Sequence, residues 1–528
     1  MFGNARLLGW ALALCVGKEA LFTMAAEAAK SEPIVWTVSG MERVGRRDAP
    51  DHSRRIELFA ARGEYEPFQI VVRAPEGGLT DVRCAVSDLR GPGGSVLPKE
   101  NLTLYREHYI EVKQSSPTWK GGAARPLPPG WYPDALIPFV DPATGKPPQA
   151  ARFQAVPFTL DAGTNQPLWV DVFVPRDARP GAYHGTFTVT SGQGQATGDI
   201  VLNVWNFELP LKPSLDSSFG MGRDKSLAAI ELLLRHKIMP TQVPPSAARR
   251  LIDTLGLTSV NTGFWSGAYY GHGTMKPAPS VQELKEAAAR YPADLLIYNY
   301  TADEIVEFPQ LYPQVKQWAR ALHQAGIKNL IPMAPVPELF DDGTGTGRSA
   351  VDIWVLQPNY YKASPENVAA AMKKGDQVWT YTALVQDADS PKWEIDFAPI
   401  HYRIMQGFIN QSMGFTGLLY WTVDHWNRDP WTDPDYHESG ASHFPGEGQL
   451  VYPGADAGVQ GTVPSLRLKW IREGVEDYEY IALLQKRGKG DWALEVSRSV
   501  GRDFSHWTQD PQALEAARRK LGVALDQP

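Results

Sequence analysis

The stretch "LLIYNYTADEIVEFPQ", residues 295–310, reads as a buried strand that ends in two adjacent carboxylates. Residues 295–300 are aliphatic or aromatic apart from Asn299, and such residues favour strands. Asp303 and Glu304 follow almost at once. Neighbouring residues on a regular strand point to opposite faces, so both acids reach one site only where the strand ends and the chain bends. The stretch therefore predicts either a catalytic pair at the mouth of a sheet or two solvated charges that open a helix.

The same alternation of strand and helix continues on both sides of this stretch. Strand-like runs occur at 217–221, 258–264, 295–301, 329–335, 352–357, 378–385 and 417–423. Helix-like runs occur at 226–237, 281–291, 310–325, 364–374 and 398–413. Repeated strand–helix units favour a (β/α)8 TIM-like barrel over an open sheet, although fewer than eight clean pairs are visible. We assign this barrel to residues 216–463.

An all-β pattern precedes the barrel between residues 33 and 210. Short alternating or apolar runs at 68–74, 82–89, 168–175, 185–191 and 199–210 are separated by Gly and Pro turns. This punctuation predicts a β-sandwich. The Pro-, Gly- and Trp-rich segment 114–150 is expected to be a long loop that leans toward a neighbouring domain. The fold class is thus multidomain, β plus α/β.

The C-terminal segment 464–528 is predicted to be helical and to complete the barrel domain. The acids of its first helix, Glu473, Glu476, Asp477 and Glu479, are expected to form a solvated or ion-paired face. The stretch 424–463 before it has no clear period, and long loops of this kind are usually functional.

The first 29 residues are typical of a signal peptide. Arg6 precedes an apolar stretch, 7–17, that is too short to span a bilayer, and an Ala-rich tail follows. We therefore expect an exported protein, periplasmic or extracellular. Removal of this segment would leave Cys84 as the single cysteine, which excludes an intrachain disulfide.

Charge and motifs exclude several classes of protein. The net charge of −7 argues against a nucleic-acid partner, because no basic excess exists to neutralise phosphates. No later run has the roughly 18 apolar residues of a membrane span. No nucleophile elbow, phosphate loop or dinucleotide fingerprint occurs, and the spacing of His425, His437 and His443 matches no closed metal site. We expect neither a cofactor nor a metal, and the sequence leaves the oligomeric state open.

The chemistry expected at the pair is glycoside cleavage. Two carboxylates held close together do not both ionise easily, so one becomes a proton donor beside an anion. Asp303 and Glu304 are the predicted catalytic residues; acids before a helix are also common for dipole reasons alone. The predicted substrate-binding residues lie on or after the proposed strands and are Trp265, Tyr298, Tyr300, Trp379, Tyr381, Tyr420, Trp421, Asp424 and Trp426.

The C-terminal stretch "GLLYWTVDHWNRDPW…GEGQLVYPG…VPSLRLKWIREGVEDYEYIALL" closely resembles the domain of unknown function 4091, found in proteins similar to glycoside hydrolase family 123. The likeness extends through "VDIWVLQPNYY" and "TADE" to "ARGEYEPFQIVV" in the β-rich half. This resemblance implies a retaining β-N-acetylgalactosaminidase that uses substrate assistance. It implies that Glu304 is the general acid/base and that Asp303 orients the 2-acetamido group of the sugar, whose oxygen attacks the anomeric carbon.

Two alternatives remain open at this point. In one, the enzyme cleaves a sugar without an acetamido group, and Asp387 or Asp424 is the nucleophile beside Glu304. In the other, the protein binds carbohydrate without cleaving it. In every case the expected partner is a glycan.

Overall fold

The computed structural model describes residues 32–119, 121–426, 429–436 and 442–527. The predicted signal peptide lies outside these residues, as does His437. Along the chain, two antiparallel-rich sheets come first, then a parallel barrel, then a layer of helices.

Twelve strands form the N-terminal sheets. They are β1 Ile34–Ser39, β2 Arg55–Arg62, β3 Tyr65–Arg73, β4 Leu79–Val86, β5 Leu89–Arg90, β6 Val96–Leu97, β7 Leu102–Val112, β8 Gly130–Pro138, β9 Phe158–Leu160, β10 Asn165–Phe173, β11 Gly181–Ser191 and β12 Gly194–Glu208. One sheet has the order β1-β3-β10-β7-β8 and the other β2-β12-β11-β4-β9, with the β5-β6 hairpin attached to β11. Buried residues such as Ile70, Leu168, Phe187 and Ile200 fill the space between them. The mostly β region that was predicted from short strand-like runs separated by Gly and Pro turns is confirmed.

Residues 114–150 are only partly the loop that was expected. β8 occupies 130–138 and pairs with β7, so this part of the interpretation was wrong. The part before β8 does reach the barrel: the Trp119 indole donates to the Val385 carbonyl over 2.9 Å, and the Ala124 amide donates to the Ala388 carbonyl, also over 2.9 Å. The first domain therefore contacts a loop that follows a barrel strand.

Seven parallel strands form the barrel. They are β13 Asp216–Phe219, β14 Ser259–Asn261, β15 Leu296–Tyr300, β16 Lys328–Pro332, β17 Ile353–Leu356, β18 Gln377–Tyr381 and β19 Gly417–Tyr420. Their order is β13-β19-β18-β17-β16-β15-β14. Each of the seven predicted strand runs overlaps one of them. Their residues are mostly buried on both faces, which explains the nearly continuous apolar runs in the sequence.

A short segment, 239–241, fills the gap between β13 and β14. The Phe219 amide donates to the Met239 carbonyl over 2.9 Å, and the Thr241 amide donates back to Phe219 over 2.8 Å. On the other side, the Asn261 amide donates to the Thr241 carbonyl over 3.0 Å. The barrel is therefore nearly closed, with seven strands among the described residues and one bridging segment in place of an eighth.

The helices lie around the barrel and at the C-terminus. They are α1 Leu227–Arg235, α2 Pro245–Leu255, α3 Val281–Ala288, α4 Tyr312–Gln324, α5 Pro358–Ala363, α6 Pro365–Lys374, α7 Ile400–Ile404, α8 Asn410–Met413, α9 Leu466–Lys486, α10 Gly490–Val500 and α11 Pro511–Asp526. A π-helical turn, Met405–Ile409, joins α7 to α8. The described part of the chain has no helix with both the length and the apolarity needed to cross a bilayer.

Helix α9 is buried on almost every side, between the sandwich and the barrel. Arg467 donates to both oxygens of Asp134 on β8 over 2.9 Å, and Arg472 pairs with Asp171 on β10 at 2.9 Å. On its other side, Asp477 pairs with Arg403 of α7 at 2.7 Å. Of the four acids singled out in the sequence, Glu473, Glu476 and Asp477 are ion-paired, and Glu479 accepts hydrogen bonds from Ser214. All four are buried, so the expectation of a solvated face was wrong.

The four short strands that remain are β20 Val451–Pro453, β21 Thr462–Pro464, β22 Gly501–Asp503 and β23 His506–Trp507, which form two antiparallel pairs. The first pair gives structure to the end of the long stretch after β19.

Candidate active site

The chain bends at the end of β15, where the two carboxylates lie. The Asp303 amide donates to the Ala268 carbonyl over 3.1 Å, and the Glu304 amide donates to the Pro332 carbonyl over 2.8 Å on the opposite side. Glu304 then adopts φ 51°, in the left-handed region. This conformation breaks the strand alternation, because the side chain no longer follows the pleat. It is also uncommon for a residue with a Cβ atom, and such residues concentrate at functional sites.

Asp303 is held by a tyrosine of the same strand. The Tyr300 hydroxyl donates to Asp303 Oδ1 over 2.7 Å. Burial raises the pKa of Asp303, while the hydroxyl bond favours the ionised form and opposes that shift. One carboxylate oxygen is therefore fixed, and the other has no partner among the described residues.

Glu304 is held from the other side of the pair. Gln357, directly after β17, donates its amide to Glu304 Oε1. Burial and the charge of Asp303 raise the pKa of Glu304 to about 7, against the lowering effect of the nearby Gln357 and Tyr360 side chains. Glu304 thus keeps its proton in a substantial fraction of molecules near neutral pH, as a general acid requires.

A cavity of about 830 Å³ opens at this end of the barrel. Predicted residues that line it are Asp303, Trp265, Tyr300, Tyr420, Trp421 and Asp424. Trp265 is 42% exposed, and its ring centre lies 6.1 Å from that of Tyr300. Glu304 is not among the lining residues; its carboxylate turns toward the ends of β16 and β17. Of the pair, Asp303 therefore lines this cavity, and Glu304 lies beside it against Gln357.

Four predicted residues lie away from the cavity wall. Tyr298 is fully buried, donates to Ser218 over 2.7 Å and packs edge-on against buried Trp379, so both belong to the barrel interior. Tyr381 is also buried, and its pKa is raised by burial and by the charges of Asp303 and Glu304. Trp426 donates its indole N–H to the Val451 carbonyl over 2.8 Å. Substrate contact by these four residues stays a prediction.

The two distant carboxylates considered as nucleophiles are already engaged. Asp424 is buried and accepts the amides of Gly222, Arg223 and Asp224 over 2.7–2.8 Å. Asp387 accepts Lys392 Nζ over 2.9 Å, and that ammonium helps to hold the pKa of Asp387 well below its usual range. Both groups have the environment of structural acids, with their lone pairs committed.

Sequence reasoning did not assign a role to several residues at the site. Gln357 and Tyr360 contact Glu304, and three cations, Arg223, Lys225 and Arg290, line the cavity. Buried Glu447 accepts the Trp421 indole N–H over 2.5 Å and fixes that ring. The sequence held a signal for Gln357, since it is the last residue of the predicted strand run 352–357 and barrel sites are built at strand ends. Arg223, Lys225 and Glu447 lie on irregular segments that carry no pattern. Tyr360 lies on the short helix α5, and Arg290 lies just after α3.

Comparison with known families identifies both halves of the chain. Residues 43–191 match the model described as "Glycoside hydrolase 123 N-terminal domain", and residues 311–484 match "Glycoside hydrolase 123, catalytic domain". Together they cover more than half of the chain. The protein belongs to glycoside hydrolase family 123. It is therefore a glycosidase. The catalytic-domain match begins after Asp303 and Glu304, so it does not itself assign roles to the pair.

One solved structure shares the fold of this family 123 member. A family 123 glycoside hydrolase from Clostridium perfringens, whose structural analysis concerned glycolipid glycan hydrolysis, has a TM-score of 0.66 at 12% identity. The alignment covers 94% of this chain and 98% of that one. At this identity the likeness shows the fold alone. A β-glucuronidase from Parabacteroides merdae has a TM-score of 0.27 at 8% identity, and the alignment covers 79% of this chain and 50% of that one. This score is too low to show a common fold. No curated protein matched the chain.

Proposed function

We propose that this protein is a retaining β-N-acetylgalactosaminidase or related β-N-acetylhexosaminidase that works by substrate assistance. Glu304 is the general acid and then the general base. Asp303 accepts the N–H of the substrate's 2-acetamido group and stabilises the charge that develops there. The nucleophile is the acetamido oxygen, so the protein supplies an adjacent pair of acids in place of two opposed ones.

One observation carries the proposal: two consecutive carboxylates have different partners and different tasks. Glu304 has a pKa of about 7 because of burial and the neighbouring charge of Asp303, so it holds the proton that the leaving oxygen takes up. Asp303 lines the cavity and accepts the Tyr300 hydroxyl through one oxygen, which leaves its other oxygen without a partner among the described residues. A fixed acceptor next to a proton donor is the arrangement that substrate assistance requires.

The sequence of steps follows from these positions. The Glu304 carboxyl donates its proton to the glycosidic oxygen as the C–O bond breaks, and the acetamido oxygen bonds to the anomeric carbon. Asp303 accepts the amide N–H during this step, which favours the cyclised intermediate. Glu304, now a carboxylate, then takes a proton from water. The water oxygen bonds to the anomeric carbon as the bond from that carbon to the acetamido oxygen breaks, so the configuration is retained.

The engaged state of the other acids supports this reading over direct displacement. A protein nucleophile would have to lie roughly 5–5.5 Å from the acid and present a free lone pair. Asp424 and Asp387, the two candidates for that role, are occupied by backbone amides and by Lys392.

A panel of nitrophenyl β-glycosides that differ only at the 2-position tests the mechanism. We expect kcat/KM to fall by at least about a thousandfold when the 2-acetamido group is replaced by hydroxyl, because the intramolecular nucleophile is lost. Galacto- and gluco-configured acetamido sugars in the panel identify the preferred sugar. Equal cleavage of the hydroxyl analogues, or a covalent glycosyl-enzyme on any Asp or Glu, would contradict substrate assistance.

Export is a further part of the proposal. The pattern of residues 1–29 supports secretion to the periplasm or beyond. Mass spectrometry of the mature N-terminus tests it, and an intact N-terminus on cytoplasmic protein would contradict it.

A further inference from the structure

Three cationic side chains, Arg223, Lys225 and Arg290, line the same cavity as Asp303. From them we infer that the cavity takes a glycan bearing an oxyanion, either a sulfate ester or a carboxylate, on the sugar beyond the one that reacts. The inference rests on the proposed glycosidase site, since it names the class of substrate that the site accepts.

The three cations have no carboxylate partners among the described residues, although two arginines of α2 do. Arg249 pairs with Asp294 at 2.9 Å, and Arg250 pairs with Glu231 at 2.7 Å. Within the described chain, neither Lys225 nor Arg290 makes an ion pair, and the Arg223 guanidinium donates only to the Trp426 carbonyl over 3.2 Å. All three side chains are exposed. Unpaired cations gathered at one cavity leave their N–H donors available to a ligand.

No acid of the cavity lining forms an ion pair with these cations among the described residues. Asp303 is committed to the reaction, and Asp424 lies buried beneath the loop that begins at Gly222. The Asp424 carboxylate accepts three consecutive amides of that loop and the Thr422 hydroxyl, at 2.7–2.9 Å. Its oxygens are therefore engaged in holding the loop that carries Arg223 and Lys225. Asp424, predicted from sequence to bind substrate, then acts as a positioning residue for the two cations.

The third cation comes from a separate wall. Arg290 lies just after α3, and the hydroxyl of the next residue, Tyr291, donates to the Val243 carbonyl over 3.0 Å. That bond ties the end of α3 to the segment after the bridge 239–241, so the cations border the cavity from two directions. An oxyanion between them accepts several charge-assisted N–H bonds, and arginine suits the forked geometry of carboxylate and sulfate.

The size of the cavity leaves space for this group. At about 830 Å³ it lies in the upper part of the range for small-molecule sites, about 300–1,000 Å³. The exposed cations are on the rim, whereas Tyr300 and Asp303 are nearer the barrel interior. The reacting sugar is thus placed against Asp303, and the charged sugar lies toward the opening.

Matched disaccharides test the inference. Each has an N-acetylhexosamine β-linked to a second sugar, which is a neutral hexose, its 6-sulfate or the corresponding uronic acid. We expect the wild-type protein to prefer at least one charged substrate over the neutral one by at least about tenfold in kcat/KM at low salt, because surface charges attract an oppositely charged ligand. Added salt reduces this preference.

The combined variant Arg223→Met, Lys225→Met, Arg290→Met removes the three charges but keeps the backbone amides that bind Asp424. We expect it to lose the preference for the charged substrate. Lys285→Met, on the same α3 helix but outside the cavity lining, is the matched control and retains the preference. Preference for the sulfate alone or the uronic acid alone identifies the source of the oxyanion. No preference in the wild type, or an equal loss on neutral and charged substrates in the combined variant, would overturn the inference.

Failure of the proposed reaction is distinguishable from failure of this inference. Calorimetry with Glu304→Gln protein measures binding of the same three disaccharides without turnover. The charged subsite would be sustained and the proposed function rejected if the Glu304→Gln variant bound the charged sugars more tightly while the wild-type protein cleaved none of the three disaccharides. Cleavage without any charge preference would do the reverse.

Discussion

At the scale of single residues, the site depends on one backbone conformation. Glu304 lies at φ 51°, which costs a residue with a Cβ atom about 1–2 kcal/mol. The cost is offset because the amides of Asp303 and Glu304 are both hydrogen-bonded and the Glu304 side chain is held by Gln357. Two acids adjacent in sequence are thereby given different neighbours, and from this their different pKa values follow.

Gln357 is predicted to set the pH range of the enzyme. Its bond to Glu304 favours the carboxylate, so Gln357→Leu raises the pKa of Glu304 above its present value of about 7. We expect the alkaline limb of the kcat/KM profile, which reports loss of the Glu304 proton, to move to higher pH. We also expect kcat to fall by about tenfold, because the acid is less well oriented.

The control for this experiment is Gln324→Leu at the exposed end of α4, which leaves the limb in place. A fall in activity at every pH with no shift of the limb would indicate a purely structural role for Gln357.

At the scale of elements, α9 shows why its sequence pattern was misleading. All but three of its 21 residues are buried, so no continuous polar face exists. Its charged residues alternate between partners on the sandwich and partners on α7 and α11, such as Asp171 and Arg403. A buried helix whose charged residues are paired contains as many charged residues as a surface helix, so its sequence alone does not distinguish the two.

Removal of one buried partner on α9 is predicted to destabilise the protein strongly. Arg467→Met leaves Asp134 buried with the Tyr452 hydroxyl as its only remaining side-chain donor in the described structure. We expect a loss of about 3–5 kcal/mol in unfolding free energy, because an uncompensated charge stays in the interior. The urea midpoint of tryptophan fluorescence measures it.

Arg498→Met on α10 is the matched control, since that arginine is exposed and makes no ion pair within the described chain. Comparable midpoints for the two variants would show that the Asp134 pair contributes little.

At the scale of the whole molecule, buried acids link stability to pH. Burial raises the pKa of Glu107, Glu394 and Glu473 to about 8 in each case. In the unfolded chain these groups ionise near their ordinary pKa of about 4.3, so the folded state binds more protons between these values. Stability is then lost as pH rises through about 8. Burial acts oppositely on histidines such as His108, whose pKa falls to about 4, but their effect ends above their ordinary value of about 6.5.

The unfolding free energy is therefore predicted to fall by at least about 1 kcal/mol between pH 6.5 and 8. Urea unfolding at a series of pH values measures this fall. Glu107→Gln should flatten the dependence, because in the described structure both carboxylate oxygens of Glu107 lack hydrogen-bond partners. A stability that rises over this interval would mean that these acids are ionised in the folded protein.

The sequence alone determined the order of the architecture. Period-two and apolar runs located all seven barrel strands, and proline or serine at helix starts located helices such as α6. Local patterns suffice here because the spacing of apolar residues within each short segment indicates whether one face or both faces are buried. The same reasoning located Asp303 and Glu304 at a strand end.

Only the tertiary structure decided how distant segments meet. The bridge at 239–241 is too short to carry a period, and the bond from Gln357 to Glu304 joins residues on different strands. The gathering of Arg223 and Arg290 at one cavity likewise depends on how loops from different parts of the chain fold together. Contacts of this kind arise from the closure of the barrel, and no local pattern of residues encodes them.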